Sequence, residues 1–275
     1  MAVLGAEGQL GTALQEVLGN RAIPFSHDEL DVTGAGLVMG LNECKPDWII
    51  NCAAVHKVDD LEKNPTYALS VNAIGAYNVA VAARNIGAGV VYISTDYVFG
   101  HNGPFWEGDI RYSLNVYGIS KVAGENFTKA YAPAWIIVRT CSLFGSASSK
   151  GANFVETMLR LGKERDTLEV VSDIVMSPTY TKDLAAKIVE LLEKRKASST
   201  VHITNAGRCT YKEFAEEIFR RAEMNVEVKP CFSADRDIAK RPRLAVLMRG
   251  SLSGWGMDDM RTWQDALSEY LQEKL

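Results

Sequence analysis

Long apolar runs are missing from the 275-residue chain, and none reaches the roughly 18 residues that a membrane span requires. The amino terminus also lacks the basic stretch and long apolar core of a secretion signal. The sequence contains no C-x-x-C pair, so we expect neither a zinc site nor a disulfide framework. Its five scattered cysteines are Cys44, Cys52, Cys141, Cys209 and Cys231. We therefore expect a protein of the reducing cytoplasm, without a membrane partner.

An excess of positive charge is missing as well. The chain carries 30 Lys and Arg against 34 Asp and Glu, for a net charge of −4. It therefore lacks the excess of basic residues that is typical of proteins that bind nucleic acid. Its four histidines show no metal-ligand spacing, so we expect no metal. What remains is an ordinary globular composition, 47% hydrophobic and 23% charged, in a chain long enough to bury a large core.

Short apolar runs alternate with helical patterns over the first 145 residues. The runs include "DWIIN", "VVYIS" and "AWIIVR", and the apolar spacing of residues 65–87 predicts a helix that ends at Gly87. Continuous apolar runs separated by helices are typical of a parallel sheet that is buried on both faces. We predict an α/β fold with a Rossmann-like, doubly wound parallel sheet in residues 1–145.

After residue 145 the pattern changes. Helical patterns occupy 153–164, 181–196 with Thr181 as the cap, 210–224 opened by Thr210, and 258–275, whereas 227–250 is basic and irregular. We predict that residues 165–205 return to the larger domain. Residues 146–164 and 206–275 are expected to form mainly a smaller substrate-binding lobe, in which residues 146–149 form a loop near the substrate.

The glycines near the amino terminus form G-x-x-G-x-x-G at Gly5, Gly8 and Gly11, between a short apolar run and a helical pattern. Glycine lets the backbone approach a pyrophosphate, whose charge is favoured at a helix amino terminus. This order predicts an NAD(P)-binding domain in residues 1–145, with NADPH or NADH as the cofactor. The sequence leaves the choice open, because Asp28 favours a ribose hydroxyl, whereas His27 or Arg21 favours a 2′-phosphate.

A catalytic set is predicted from three side chains. Tyr117 and Lys121 form Y-x-x-x-K, which places both on one face of a helix, and Thr95 lies where the run "VVYIST" ends. A lysine ammonium lowers the pKa of a nearby tyrosine, and that tyrosine can pass a proton to a carbonyl oxygen as hydride arrives. The threonine hydroxyl can hold the same oxygen. A purely structural Y-x-x-x-K is the alternative.

Together these stretches resemble the extended short-chain dehydrogenase/reductase superfamily and, more narrowly, the dTDP-4-dehydrorhamnose reductase family. The resemblance extends from residue 5 to about residue 270. It includes "GAEGQLG", "LDVT", "KPDWIINCAA", "VNAIGAYNVA", "STDYVF", "LNVYGISKVAGE", "NFVETMLRL", "SPTYTKDLA" and "RPR". It implies NAD(P)H-dependent reduction of the C4 keto group of a nucleotide sugar, with dTDP-4-dehydro-L-rhamnose converted to dTDP-L-rhamnose.

The resemblance also implies roles for individual residues. Those implied for the cofactor, besides Tyr117 and Lys121, are Gly5, Gly8, Gln9, Leu10 and Gly11 at the phosphates, Asp31 and Val32 at the adenine, and Ala53, Ala54 and Val55 at the ribose and nicotinamide. Those implied for the substrate are His56, Thr95, Asp96, Tyr97, Ser142, Asn153 and Arg241.

Two of these positions depart from the family's pattern. His56 stands where the family usually has threonine, and Ser142 stands where it often has a pocket tryptophan. A reductase or epimerase of another nucleotide 4-keto sugar is therefore kept as an alternative. A second alternative is a non-catalytic regulatory subunit similar to the methionine adenosyltransferase beta subunit. The sequence does not fix the oligomeric state, and a homodimer is one expectation.

Overall fold

The computed structural model describes residues 1–145, 151–235 and 239–275, so the predicted loop at 146–149 lies outside the described residues. Its strands are β1 (Ala2–Leu4), β2 (Ile23–Phe25), β3 (Trp48–Asn51), β4 (Gly89–Thr95), β5 (Trp135–Thr140), β6 (Leu143–Phe144), β7 (Thr167–Val171), β8 (Val175–Met176), β9 (Thr179–Tyr180), β10 (Ser199–His202), β11 (Cys209–Thr210), β12 (Glu227–Cys231) and β13 (Leu244–Ala245). Its α-helices are α1 (Gln9–Leu18), α2 (Leu37–Cys44), α3 (Val58–Lys63), α4 (Pro65–Leu69), α5 (Gly75–Ile86), α6 (Val116–Tyr131), α7 (Phe154–Glu164), α8 (Thr181–Glu193), α9 (Tyr211–Arg221), α10 (Gly250–Gly254) and α11 (Trp263–Lys274).

A parallel six-stranded sheet, in the order β10-β5-β4-β3-β1-β2, forms the centre of the larger part of the molecule. Every neighbouring pair of strands in it is parallel. Because β1 pairs with both β2 and β3, the strand order reverses at β1, and open α/β sheets bind ligands at such a point. The predicted doubly wound α/β class is confirmed.

Helices cover both faces of this sheet, which explains why its strands read as continuous apolar runs. On one face, α1 and α8 pack against β1, β5 and β10 around Val3, Leu14 and Ile188. On the other face, α2 and α5 enclose a second core with Leu41 and Val79. The apolar core therefore lies on both sides of the sheet, and its strand ends are left for polar residues.

A smaller lobe follows β5. Its strand β7 pairs with β12, and α7, α9 and α11 surround a core rich in aromatic side chains, among them Phe144, Phe214 and Tyr270. The sequence predicts that residues 165–205 return to the main sheet. In the structure α8 and β10 belong to that part of the molecule, whereas β7 lies in the lobe. Helix α10 also packs against β10, although it belongs to the segment 206–275. The division of the chain into functional domains stays a prediction.

The helices depart from the sequence patterns at their ends and at one interior turn. The helix predicted over 65–87 is present and stops at Gly87 (φ 74°), but residues Ser70–Ile74 form a π-helical segment between α4 and α5. Thr210 caps α9 as predicted, through a hydrogen bond that its side chain accepts from the backbone N–H of Glu213. Thr181 does not cap α8, because it is the first residue of the helix.

Two further predictions about the carboxyl-terminal part differ from the structure. The helix expected over 258–275 begins at Trp263, with Thr262 as its cap. The segment 227–250, expected to be irregular, contributes β12, which is held by β7. Both differences arise because tertiary pairing overrides local propensity. Within the described ranges, no helix is long and apolar enough to cross a membrane.

The position of α6 depends on a close approach to β4 at Gly124. A Cβ atom added there would lie 2.1 Å from the Tyr92 hydroxyl and 2.5 Å from the Asn72 carbonyl oxygen. The Tyr92 hydroxyl donates to that same carbonyl oxygen at 2.9 Å, so neither atom can move without breaking a buried hydrogen bond. Only glycine fits at this point of the helix.

We predict that Gly124→Ala lowers the free energy of unfolding by about 1–3 kcal/mol, the usual cost of overpacking a core. In an open helical position the same change would stabilise the protein, since alanine is the better helix former. Gly254→Ala is the matched control, because a Cβ there meets nothing within 4 Å. Urea denaturation of both variants measures the difference, and equal stabilities would contradict the close approach.

Candidate active site

The glycine-rich turn lies at the carboxyl end of β1. Gly5 has φ 71°, which favours glycine, and its carbonyl oxygen accepts from the Gly8 N–H at 3.1 Å. A Cβ on Gly5 would lie 3.0 Å from the backbone nitrogen of Ala53, so this turn touches the segment that follows β3. The structure thus brings together two of the predicted cofactor segments, at the point where the strand order reverses.

The amino terminus of α1 fits an anionic group. Gly8 is the N-cap and offers no side-chain cap, and the first turn contains no acidic residue. The first N–H groups of a helix lack intrahelical partners, and with the helix dipole they attract a phosphate. The side-chain oxygen Oε1 of Gln9 is buried without a hydrogen-bond partner among the described protein atoms. Leu10 and Gly11 are buried behind it, so the turn presents backbone and amide groups for a pyrophosphate.

The residues predicted near the adenine follow β2. Asp31 accepts from the backbone N–H and the hydroxyl of Thr33, both at 2.8 Å, and the N–H bond is the main reason that its pKa is lowered. His27 Nδ1 lies 3.9 Å from Asp31. Val32 is buried, and its carbonyl oxygen accepts from Asn78 Nδ2 at 3.0 Å.

The three candidates for recognising the ribose or its phosphate separate in space. Arg21 precedes β2 and forms an ion pair with Glu193 at 2.8 Å, at the end of the strand opposite to the glycine-rich turn. The structure therefore does not favour Arg21 as a phosphate ligand. Asp28 and His27 are exposed beyond the carboxyl end of β2.

Asn72 connects the cofactor side of the site to α6, and the sequence reasoning missed it. Its amide accepts from the Val55 N–H and donates to the Val55 carbonyl oxygen, both at 2.9 Å. It also donates to the Ser120 hydroxyl at 2.9 Å. Asn72 lies in the π-helical segment, a feature that is frequent at functional sites. The signal available in the sequence was an asparagine among the apolar residues of the helical stretch "VNAIGAYNVA".

The other residues of the predicted nicotinamide wall follow β3 directly. The Ala53 N–H donates to Asn51 Oδ1 at 3.1 Å, and Ala54 is partly buried beside it. His56 is exposed at the end of this segment.

Thr95 and Tyr117 meet above the carboxyl end of β4. Thr95 ends the strand, and Tyr117 lies in the first turn of α6, whose N-cap Asn115 accepts from the Gly118 N–H at 2.8 Å. The Thr95 hydroxyl lies near the Tyr117 phenol and favours its ionised form. Lys121 is one helical turn further on, and its Nζ lies 4.1 Å from the centre of the Tyr92 ring. The structure therefore brings the three predicted catalytic residues together.

Burial dominates the electrostatics of this set. It raises the pKa of Tyr117, as does the charge of Asp96, while the nearby Thr95 hydroxyl lowers it. The direction is opposite to the one expected from Lys121 alone. Burial also lowers the pKa of Lys121 to about 7. Tyr117 is therefore protonated at neutral pH, the form required of a proton donor.

Asp96 follows Thr95 and is buried. Burial raises the pKa of its carboxyl group to about 7, although the hydrogen bond from the Thr95 hydroxyl, 2.8 Å from Asp96 Oδ1, opposes the shift. A carboxyl group that titrates near neutrality in a cleft is typical of a functional site.

The predicted sugar side of the site includes one residue that the sequence reasoning missed, Tyr211. The ring of Tyr97 lies edge-on to that of Tyr117, with 6.1 Å between centroids, and its hydroxyl accepts from Arg241. Tyr211 lies near Ser142, whose side chain lowers the pKa of the Tyr211 phenol, although burial raises it overall. Tyr211 is at the start of α9, after a capping threonine, and nothing in its local sequence distinguishes it from a packing residue.

A cavity of about 340 Å³ lies beside this group. Its walls are mainly apolar and aromatic, as is usual for small-molecule sites, with charged groups at Glu169 and Arg241. It is lined by Phe154, Met158, Leu161, Glu169, Val170, Val171, Ile174, Tyr211 and Arg241. Arg241 spans the two parts of the molecule, because its guanidinium donates to Asp59 Oδ2 of α3 at 3.0 Å.

Asn153 has a different position from the other predicted substrate residues. It is the N-cap of α7, where it forms a capping box with Glu156. Its Nδ2 donates to the Gly145 carbonyl oxygen at 3.0 Å and to the Tyr270 hydroxyl at 3.1 Å. The amide is engaged in stabilising the helix and the lobe, and these contacts do not favour its role toward the substrate.

Acidic, histidine and cysteine side chains do not gather into a possible metal centre anywhere in the described ranges. The site is thus built from hydroxyl, phenol and ammonium groups at the edge of the sheet, with a glycine-rich turn on one side and an apolar cavity on the other.

Known proteins are similar to this chain in sequence and in architecture. A family model described as the RmlD substrate binding domain matches residues 1–275. dTDP-4-dehydrorhamnose reductase from Streptomyces griseus is 36% identical over 280 residues, which cover 97% of this chain and 91% of the relative. dTDP-4-keto-6-deoxy-D-glucose reductase from Streptomyces niveus is 35% identical over 277 residues, which cover 97% of this chain and 94% of the relative.

A solved structure agrees with both. The crystal structure of dTDP-4-dehydrorhamnose reductase from Bacillus anthracis in complex with NADP is 41% identical, with a TM-score of 0.95, and the match covers 99% of this chain and 98% of that chain. The resemblance inferred from the motifs is therefore confirmed, and the chain belongs to the dTDP-4-dehydrorhamnose reductase family.

Proposed function

We propose that this protein is an NAD(P)H-dependent reductase of the C4 keto group of a nucleotide sugar, with dTDP-4-dehydro-L-rhamnose as the substrate and dTDP-L-rhamnose as the product. The observation that carries the proposal is the meeting of Thr95, Tyr117 and Lys121 at the carboxyl edge of the sheet. That edge also holds the glycine-rich turn. The B. anthracis relative, which binds NADP, supports NADPH as the cofactor.

The site residues suit a reduction in which proton and hydride reach opposite ends of one carbonyl. Tyr117, kept protonated by burial, donates the proton to the keto oxygen. The Thr95 hydroxyl, which donates to Asp96 Oδ1 in this structure, would turn its proton to the keto oxygen. The Lys121 ammonium stabilises the phenolate that Tyr117 becomes. A bound NADPH or NADH supplies the hydride. The buried surroundings strengthen each of these interactions, because little water competes.

The rest of the substrate is assigned to the lobe. A guanidinium suits a diphosphate, so Arg241 is the residue proposed for that group. The neighbouring cavity, with Phe154 and Tyr211 in its wall, is suited to the nucleoside. Tyr97, Asp96 and Ser142 lie between this cavity and the catalytic set, where they would contact the sugar.

A second substrate, dTDP-4-keto-6-deoxy-D-glucose, has a specific argument. The S. niveus relative is named for it, and Ser142 leaves a small polar side chain where the family often has tryptophan. An enzyme is favoured over a non-catalytic subunit because the relatives are reductases and the catalytic set is assembled. The cytoplasmic location and the homodimer stay predictions.

We predict that Tyr117→Phe lowers kcat about 10²–10⁴-fold, the range of general acid catalysis, because phenylalanine keeps the ring but has no proton to donate. Loss of NADPH absorbance at 340 nm with dTDP-4-dehydro-L-rhamnose measures the rate.

Tyr131→Phe is the control on the same helix. Its half-exposed ring packs against Tyr77 at the far end of α6, so kcat should be unchanged. Turnover by Tyr117→Phe within a few-fold of the parent would reject the mechanism.

A substrate panel tests the identity of the sugar. We predict the highest kcat/KM for dTDP-4-dehydro-L-rhamnose among dTDP-, UDP- and GDP-linked 4-keto sugars, assayed with NADPH. Ser142→Trp should reduce kcat/KM for every sugar, since the larger side chain fills the space beside Tyr211. A higher kcat/KM for dTDP-4-keto-6-deoxy-D-glucose would instead identify the second substrate.

A further inference from the structure

A buried ionic cluster centres on Glu125, a residue of α6, the helix that also carries Tyr117 and Lys121. This side chain is fully buried, and Arg139 donates to both of its oxygens, from Nε and from a terminal nitrogen, each at 2.8 Å. Arg111 donates to Oε2 at 3.0 Å and is 25% exposed. Burial works to raise the pKa of Glu125, but the bonds and charges of its partners, Arg139 first, hold it below the usual value. Glu125 is therefore a permanent carboxylate.

The same carboxylate reaches the catalytic residues by two routes. The Ser94 hydroxyl donates to Glu125 Oε1 at 2.6 Å, and Ser94 directly precedes Thr95 on β4. Glu125 is also four residues after Lys121 on α6, so the two side chains share one helix face. One acid thus holds the strand end that carries Thr95 and faces the lysine.

Lys121 needs such a partner. It is 2% exposed, and burial disfavours its charged form, whereas the charges of Glu125 and Cys52 favour it. Of these two, Glu125 is the permanent charge, because burial raises the pKa of the Cys52 thiol to about 12 and leaves it neutral. A neutral lysine could not stabilise the phenolate of Tyr117.

We propose that Glu125 is a positioning residue for the reduction: its carboxylate anchors the strand end at Ser94 and favours the ammonium form of Lys121 against the effect of burial. The proposal rests on the proposed function, since it assigns a role at the same site. Arg139 and Arg111 fix the carboxylate in place, and they offset the cost of burying it.

The groups that face the pair come from several elements. Those around Lys121 are Cys52 after β3, Tyr92 on β4 and Glu125 on α6, and Tyr117 precedes it by one helical turn. Those around Glu125 are Ser94 on β4, Arg139 on β5, Arg111 in the loop before α6, Lys129 on α6 and His202 on β10. His202 is neutral above pH 5, because burial lowers its pKa to about 4.

The sign of the expected pH effect follows from these charges. Reduction requires the proton on Tyr117 and the positive charge on Lys121, so kcat falls at high pH when either group loses its proton. The negative charge of Glu125 makes that loss harder. Glu125→Gln keeps the shape and removes the charge, so we expect the basic limb of the kcat profile to move to lower pH by about one unit. Glu125→Asp keeps the charge, so its limb should stay at the parent position even where kcat falls.

Arg111→Gln should shift the basic limb of the kcat profile in the opposite direction. We expect this variant to fold, because Arg111 is the more exposed of the two arginines. It removes a positive charge that offsets Glu125, so its basic limb should move to higher pH. If Glu125→Gln folds and its basic limb does not move, the proposal is overturned, because that is the result expected of a carboxylate with only a structural role. If Glu125→Gln does not fold, Arg111→Gln decides, and a limb that stays or moves to lower pH overturns it.

A cofactor titration separates this proposal from the proposed function. The Kd of NADPH, measured by quenching of tryptophan fluorescence across the same pH range, needs no sugar. We expect binding to weaken at a lower pH in Glu125→Gln than in the parent, and identical profiles would count against Glu125. A parent protein that binds NADPH but reduces no 4-keto nucleotide sugar would refute the proposed function, while the binding profiles would still decide the role of Glu125.

Discussion

The close approach of α6 to β4 is the contact on which the arrangement of the site depends. Gly118 and Gly124 both lie on the buried face of the helix, and a Cβ on Gly118 would lie 2.0 Å from the Tyr97 carbonyl oxygen. Because the helix lies this close to the Tyr92 hydroxyl and to the Tyr97 carbonyl just after β4, Tyr117 and Lys121 reach over the end of the strand that carries Thr95. A displacement of about 1 Å between catalytic groups can cost a factor of about 10² in rate, so the glycines serve the chemistry as well as the packing.

Burial is the common cause of the unusual protonation in this region. It moves the pKa values of Asp96 and Lys121 toward neutrality from opposite sides and moves that of Tyr117 upward. The hydrogen bonds and charges of the neighbours then adjust each shift. Asp96 and Lys121 are thereby made responsive near neutral pH, whereas Tyr117 keeps its proton there.

The sequence could predict those parts of the site whose geometry is set locally. Helical spacing places Tyr117 and Lys121 on one face, and the end of an apolar run places Thr95 at the sheet edge. It could not predict partners that tertiary packing supplies, such as Asn72, Tyr211 and Asp59, because each meets residues distant in the chain. The net pKa shift of Tyr117 also differs from the one expected from Lys121 alone, because the effect of burial can be weighed only once the packing is known.

The same limit applies to the cofactor side. Order along the chain indicated the position of the glycine-rich turn. Arg21 looked equivalent to His27 and Asp28 in the sequence, but it lies before β2, whereas the other two lie after it. Asn153 shows the converse, since a family match suggested a ligand where the local hydrogen bonds form a capping box. Residue type and spacing therefore predict which chemistry is present more reliably than they predict which side chains are available for it.

The order of strands in the main sheet also bears on how the protein is made. β5 pairs with β10, yet about 60 residues, most of them in the lobe and α8, separate the two strands. A ribosome adds about 5–20 residues per second, so β5 remains an uncovered edge for roughly 3–12 s. Exposed edges invite pairing with other chains, and a charged side chain discourages it. β5 carries Arg139, whose charge disfavours pairing with another chain until Glu125 of α6 and then β10 pack against it.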